Sequence, residues 1–163
     1  MTGLADKYTW VDIGSSYLPS ELQAAFLYSQ LSQAQTITET RLTAWDYYDK
    51  KIRPLAGKWN IDIPQVPQHC RHNAHLYFIK LRNKHMRDDL ISFARERGVQ
   101  MTFHYVPLHS SPAGLKYGTF AGNDTHTTNH SERLLRLPLY MEITTEEQDH
   151  VINVIEEFLG GHP

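Results

Sequence analysis

After Pro19, apolar residues recur at helical spacing. Leu22, Phe26, Leu27, Leu31 and Ala34 form one set, and Leu42, Trp45, Tyr48, Ile52 and Leu55 form another. The second set, with steps of three or four throughout, forms one helical stripe. Ser20-x-x-Gln23 is a capping-box pattern, in which each side chain satisfies a free backbone donor at the helix start. Pro54 and Gly57 punctuate the other end. A helix over residues 20–57, at ~1.5 Å per residue, would be about 50 Å long. That exceeds the diameter of a small domain, so the pattern predicts a kinked helix connecting two bodies. The segment before it, Tyr8 to Gly14, has neither helical nor strand period and reads as chain lying against something else.

Beyond a Pro-rich link (Ile63 to Pro67), His75 to Leu81 has the aromatic and β-branched content of a strand. Asn83 can cap a helix whose core face holds Met86, Leu90, Phe93 and Ala94, with Gly98 in the position of a terminating glycine. A second strand alternates: Val99, Met101, Phe103 and Tyr105 point one way, and Gln100, Thr102 and His104 the other, until Pro107 stops it. Ser110 to Thr128, rich in Gly, Ser, Thr and Asn, reads as a long loop. A short helix near Ser131 to Leu135, a strand over Leu137 to Tyr140 and a helix over Thr145 to Leu159 follow. Thr144-x-x-Glu147 and Thr145-x-x-Gln148 both offer caps for that last helix. The order implies an α+β fold, a small antiparallel sheet with helices on one side.

Composition narrows the function classes. The 163 residues are 40% hydrophobic and 21% charged, with a net charge of −2. That suits a globular chain of about one domain. No basic run favours nucleic acid or an anionic membrane, and no apolar stretch nears the ~20 residues that cross a bilayer. The N-terminus lacks the regions of a signal peptide and Cys70 is the single cysteine, so a cytoplasmic protein without disulfides is expected. His69, Cys70, His72 and His75 have N/S ligand types at short spacing, which Zn²⁺ prefers. No second ligand pair follows alongside, and no metal is expected.

Three segments carry a resemblance: Gly14 to Ala25 (GSSYLPSELQAA), Phe103 to His109 (FHYVPLH) and Ser131 to Leu139 (SERLLRLPL). Together, in this order, they resemble the DegT family of PLP-dependent nucleotide-sugar aminotransferases. The resemblance implies a fold-type-I architecture, in which residues 1–19 match the end of the large PLP-binding domain, 20–57 the connecting helix and 58–163 the small C-terminal domain. It places the Schiff-base lysine outside this chain: lysines stand at 7, 50, 51, 58, 80, 84 and 116, none in that context. No catalytic residue is therefore expected here, and PLP belongs to the full enzyme rather than to this chain alone.

The resemblance also implies a homodimer in which the loop before the connecting helix reaches the cofactor phosphate of the neighbouring subunit. Family members commonly read Gly-x-Asn-x-Arg there; this chain has Ser16 at the Asn position and Leu18 at the Arg position, leaving Ser16 as the cofactor-binding candidate. His104 and His109 are implied to line the nucleotide-sugar pocket. Arg133 and Arg136 either meet a phosphate or form surface pairs. The implied reaction transfers an amino group from an amino acid, glutamate in the family, to a 4-keto-6-deoxy nucleotide sugar for lipopolysaccharide or other surface polysaccharide. The rival readings are a non-catalytic binding or dimerisation module and a His-rich metal protein.

Overall fold

The computed structural model describes residues 9–14 and 18–161. The expected long helix is two: α1 (Glu21–Leu31) and α2 (Ala34–Ile52), followed by a 3₁₀ turn at Arg53–Leu55 and the single-turn α3 (Ala56–Trp59). The Ser20–Gln23 capping box forms as expected, with bonds of 2.8 and 3.3 Å. The break falls at Ser32–Gln33, where the Ser29 and Ser32 hydroxyls donate to the carbonyls of Phe26 and Ser29, both at 2.8 Å. Such local bonds compete with the helical ladder and bend it.

The two helices differ in what they bury. On α2, Ala44, Trp45, Tyr48 and Ile52 are buried, on the predicted stripe. α1 buries nothing; Leu22, Phe26, Leu27 and Leu31 are 84, 70, 57 and 59% exposed.

The sheet has three short antiparallel strands in the order β1 (Phe78–Lys80), β3 (Leu134–Arg136), β2 (Thr102–Phe103). Each is shorter than its sequence segment, and β3 precedes the predicted position. Pro138 explains the shift, since it has no N–H to give a ladder. The pairing runs one step further, with Leu137 N donating to the Tyr77 carbonyl (3.0 Å), after which the Tyr48 hydroxyl donates to the Pro138 carbonyl (3.0 Å). Before β1, Ala74 adopts φ +49°, and side chains rather than a strand take the carbonyls of residues 74–76. β2 ends early, and Tyr105, expected with the core set, is 55% exposed where the chain leaves the sheet toward Pro107.

The core lies between one sheet face, with Ile79 and Leu135, and the helices α2, α4 (Lys84–Glu96) and α7 (Thr145–Gly160). Leu90 and Ala94 of α4 are buried while Met86 and Phe93 pack at its edge; α7 contributes Val151, Ile155 and Phe158. Asn83 caps α4 (2.9 Å to Met86 N), Gly98 follows it at φ +75°, and the Thr144–Glu147 box caps α7.

The stretch expected to be a loop holds structure. Leu108–Ser110 is a 3₁₀ turn, α5 spans Pro112–Tyr117, and α6 (Thr127–Arg133) begins before the helix predicted near Ser131. Ser111 is a buried N-cap and Pro112 the first helical residue, a standard helix start. Gly114 packs so closely that a Cβ would lie 1.7 Å from the Leu108 carbonyl oxygen.

This division yields a stability test. Leu90 is fully buried and Leu115 on α5 is 73% exposed. Leu90→Ala should cost about 2–5 kcal/mol in denaturant unfolding, whereas Leu115→Ala should stay within about 0.5 kcal/mol.

Candidate substrate-binding site

Between the chain leaving β2 and helix α6 lies a groove of about 380 Å³, lined by His104 to Leu108 together with Thr127, His130, Ser131 and Leu134. Its walls are tied together. The Ser131 hydroxyl donates to the Tyr105 carbonyl (2.6 Å), and Arg87 Nη1 of α4 donates to the Ser131 carbonyl (3.3 Å). Arg87 is buried, with its guanidinium 5.1 Å from the Phe103 ring centre and paired to Asp88 at 2.7 Å.

His104 is half-buried against Tyr105, ring centres 5.2 Å apart. Among the described residues its Nδ1 is buried without a hydrogen-bond partner. Burial holds its pKa below the ordinary histidine value, and electrostatic repulsion, first from Arg136 and then from His75, pushes in the same direction. The ring is thus neutral near pH 7, and a neutral imidazole offers a ligand one donor and one acceptor.

His109 lies elsewhere. It is not among the residues lining this groove; its Nε2 is 2.8 Å from Asp124 Oδ2 and its ring packs on Phe120, centres 4.4 Å apart. Asp124 accepts from Thr128 N (3.2 Å) and from the Thr128 hydroxyl, and these bonds, then His109, hold its carboxyl below the usual range. The cluster is a clasp joining the turn at 108–110 to the start of α6.

Toward the other end of β3 a smaller groove of about 180 Å³ is lined by His75, Leu76, Gln100, Thr102, Arg136, Leu137 and Leu139. Arg136 Nη2 donates to the Phe103 carbonyl at 3.1 Å. Arg133 does structural duty, donating to the Leu81 carbonyl (2.6 Å) and to Asp62 (3.4 Å). A wider concavity, about 620 Å³ beside the start of α7, carries none of the sequence-predicted site residues.

Ser16 lies outside the described residues. In the histidine cluster, Cys70 is exposed, and His72 packs on Trp45 (4.5 Å) and accepts from Ala74 N (3.3 Å). Among the described residues, no three or more His, Cys, Asp or Glu side chains stand together as metal ligands do. Lys51, Lys58, Lys80, Lys84 and Lys116 pair with Asp149, Glu156, Asp62, Asp88 and Asp12. No lysine lines either groove beside His104 or Arg136.

Two arginines that hold the groove walls by their hydrogen bonds escape a reading by hydrophobic stripe. Arg41 and Arg87 occupy stripe positions, four before Trp45 and three before Leu90, where an apolar residue is expected. A cation on such a stripe was the available signal.

The model of the DegT/DnrJ/EryC1/StrS aminotransferase family matches residues 1–156. The chain belongs to this family. Its members are PLP-dependent aminotransferases, and the resemblance in the three motifs is borne out at that level. The 3-oxo-glucose-6-phosphate:glutamate aminotransferase of Bacillus subtilis is 29% identical over 156 residues, covering 92% of this chain and 35% of that protein. The spore coat polysaccharide biosynthesis protein SpsC of B. subtilis is 25% identical over 146 residues, covering 86% of this chain and 37% of that protein. The crystal structure of NtdA from B. subtilis with its cofactor PMP superposes with a TM-score of 0.73 at 29% identity, covering 85% of this chain and 32% of that one. The chain thus spans about 35–41% of the length of the curated relatives it matches.

The clasp makes a pH-dependent prediction. Because Asp124 titrates below its ordinary 3.8, its contribution is complete above that value and is lost as pH falls through the lowered one. Asp124→Asn should therefore speed exchange of the Thr128 amide, which donates to Asp124, relative to the unaltered chain at neutral pH. Equal exchange in the two would show that the clasp holds nothing.

Proposed function

We propose that this chain forms the small-domain wall of the substrate pocket in a PLP-dependent sugar aminotransferase. The enzyme would transfer an amino group from glutamate to a 4-keto-6-deoxy nucleotide sugar in the cytoplasm, for lipopolysaccharide or other surface polysaccharide. The observation that carries this reading is His104: neutral, half-buried and with an Nδ1 unpartnered among the described residues, on a groove built from two of the family's motifs. The names of the two B. subtilis relatives support a sugar substrate and glutamate as donor. The run Tyr8 to Ala25 resembles that of dTDP-4-amino-4,6-dideoxygalactose transaminase, which favours a deoxy sugar nucleotide.

PLP, when bound, supplies the electron sink for transamination. This chain's part is binding: His104 hydrogen-bonds a sugar hydroxyl, and the Arg87–Ser131–Tyr105 chain fixes the groove around it. Ser16 is the residue proposed to meet the cofactor phosphate across a dimer, with residues 1–19, 20–57 and 58–163 as the large-domain end, connector and small domain. With its paired lysines turned to surface carboxylates, the 163-residue polypeptide alone is inactive in this reading. Purified chain with PLP, glutamate and a 4-keto-6-deoxy dTDP sugar should give no turnover, and borohydride reduction should leave no stoichiometric pyridoxyl adduct. The amino-sugar product should nevertheless shift the His104 ring resonances, and His104→Ala should weaken that binding several-fold. One uniquely labelled lysine with activity would overturn the first part; binding indifferent to His104 would overturn the second.

The exposed face of α1 favours the homo-oligomer. Leu22, Phe26, Leu27 and Leu31, all more than half exposed, each forgo roughly 1.5–3 kcal/mol by staying in water. Sedimentation should show concentration-dependent dimers or larger species, diminished by a Phe26→Asp, Leu27→Asp double change that leaves the circular dichroism of the core intact. A compact monomer at high concentration would remove the dimerisation reading.

A further inference from the structure

Helix α6, one wall of the larger groove, carries two histidines a turn apart. His126 is its N-cap residue and His130 lies four positions on, so the two side chains share one helical face. The turn between them is closed, with the His130 amide donating to the His126 carbonyl at 2.9 Å. Both rings are exposed and nearly parallel, with 10° between their planes and 6.0 Å between their centres. The His126 side chain makes no capping bond, and His130 lines the groove together with Thr127, His104 and Tyr105. His109 and His72, by contrast, are engaged with Asp124 and with Trp45.

Histidines at i and i+4 on a helix are spaced so that two imidazoles can share one metal ion. An imidazole nitrogen sits about 2.0–2.1 Å from zinc, and roughly 1.1 Å separates it from its ring centre, so two rings on one ion have centres at most about 6.4 Å apart. The pair stands at 6.0 Å, inside that limit before either ring has moved. A metal lies near the plane of each ring that binds it, so the parallel rings must turn toward one another. Histidine χ2 is broad and both rings are exposed, so the turn costs little. Imidazole nitrogen selects zinc, copper or nickel, whereas magnesium and calcium take oxygen. With two protein ligands, rather than the four of a closed structural site, such an ion keeps open positions.

We propose that His126 and His130 form a two-imidazole chelate for a divalent transition-metal ion of the zinc and copper class, with water in its remaining positions. The inference does not depend on the aminotransferase reading. Its effect falls on α6, a helix of seven residues with none buried. An ion held by both rings ties the first turn of that helix together. Opening the turn then requires the ion to leave one ring, and binding to the closed form alone stabilises it by mass action. The second imidazole joins at a high effective concentration, because the helix already holds it beside the first.

The test is a residue-resolved NMR titration of the chain, carrying no affinity tag, with Zn²⁺ and, as a control for charge alone, Mg²⁺. The His126 and His130 rings should move together on one saturable curve with Zn²⁺ and stay still with Mg²⁺, and Cu²⁺ should displace the zinc. Saturating zinc should slow exchange of the His130 amide by on the order of tenfold or more. His126→Gln and His130→Gln should each weaken zinc at the remaining ring by on the order of tenfold or more, and the double change should add little further loss. Circular dichroism checks that the variants fold, as exposed positions allow. Separate curves for the two rings, binding at one ring that survives loss of the other, or a His130 amide indifferent to zinc overturns the proposal. So does zinc held only around Cys70 and its neighbouring histidines.

Discussion

A sheet of three strands, each two or three residues long, cannot satisfy the backbone of the segments that run into and out of it. Buried carbonyls and amides need partners wherever water is excluded. In this chain the partners come from side chains on α2. Arg41 takes the carbonyls of Ala74, His75 and Leu139, Trp45 takes that of Leu76, and Tyr48 takes that of Pro138. Gln148 of α7 closes the circuit by donating to the Ala44 carbonyl at 2.8 Å. The helix does more than cover the sheet; it substitutes for missing strand neighbours.

That arrangement places the site. The carbonyls that Arg41 gathers belong to the chain carrying His75 into the sheet and to the chain leaving β3, so both rims of the small groove are pinned to one guanidinium. On the other side, Arg87 performs the same service through Ser131 for the segment bearing His104 and Tyr105. Two arginines drawn from the core stripes of two helices thus set the positions of the basic groups facing outward. Burial makes each bond more directional and costlier to break than its exposed counterpart.

Much of this was legible in the sequence where the signal was local. The Ser20 and Thr144 boxes, the Asn83 cap and the Trp45–Tyr48–Ile52 stripe are read directly, because caps and periodicity depend on neighbours a turn away. The strands were legible as apolar segments and not as ladders. Pro138 sets where β3 must stop, and the side chains that replace the ladder around residues 74–76 come from more than thirty positions upstream. α5 was missed although Ser111-Pro112 announces it, since the surrounding Gly, Ser and Asn outweighed one dipeptide. Of the two histidines singled out, His104 lines a groove while His109 is engaged with Asp124, fifteen residues on, a pairing no spacing rule indicates.

The break between α1 and α2 carries a consequence of its own. With none of its residues buried, α1 adds nothing to the free energy that keeps the core folded. Its apolar face is therefore invisible to selection for stability within this part of the chain. Polar residues in place of Leu22, Phe26 and Leu27 would leave the packing of the core unchanged, so the use of those side chains has to be sought in a surface outside it.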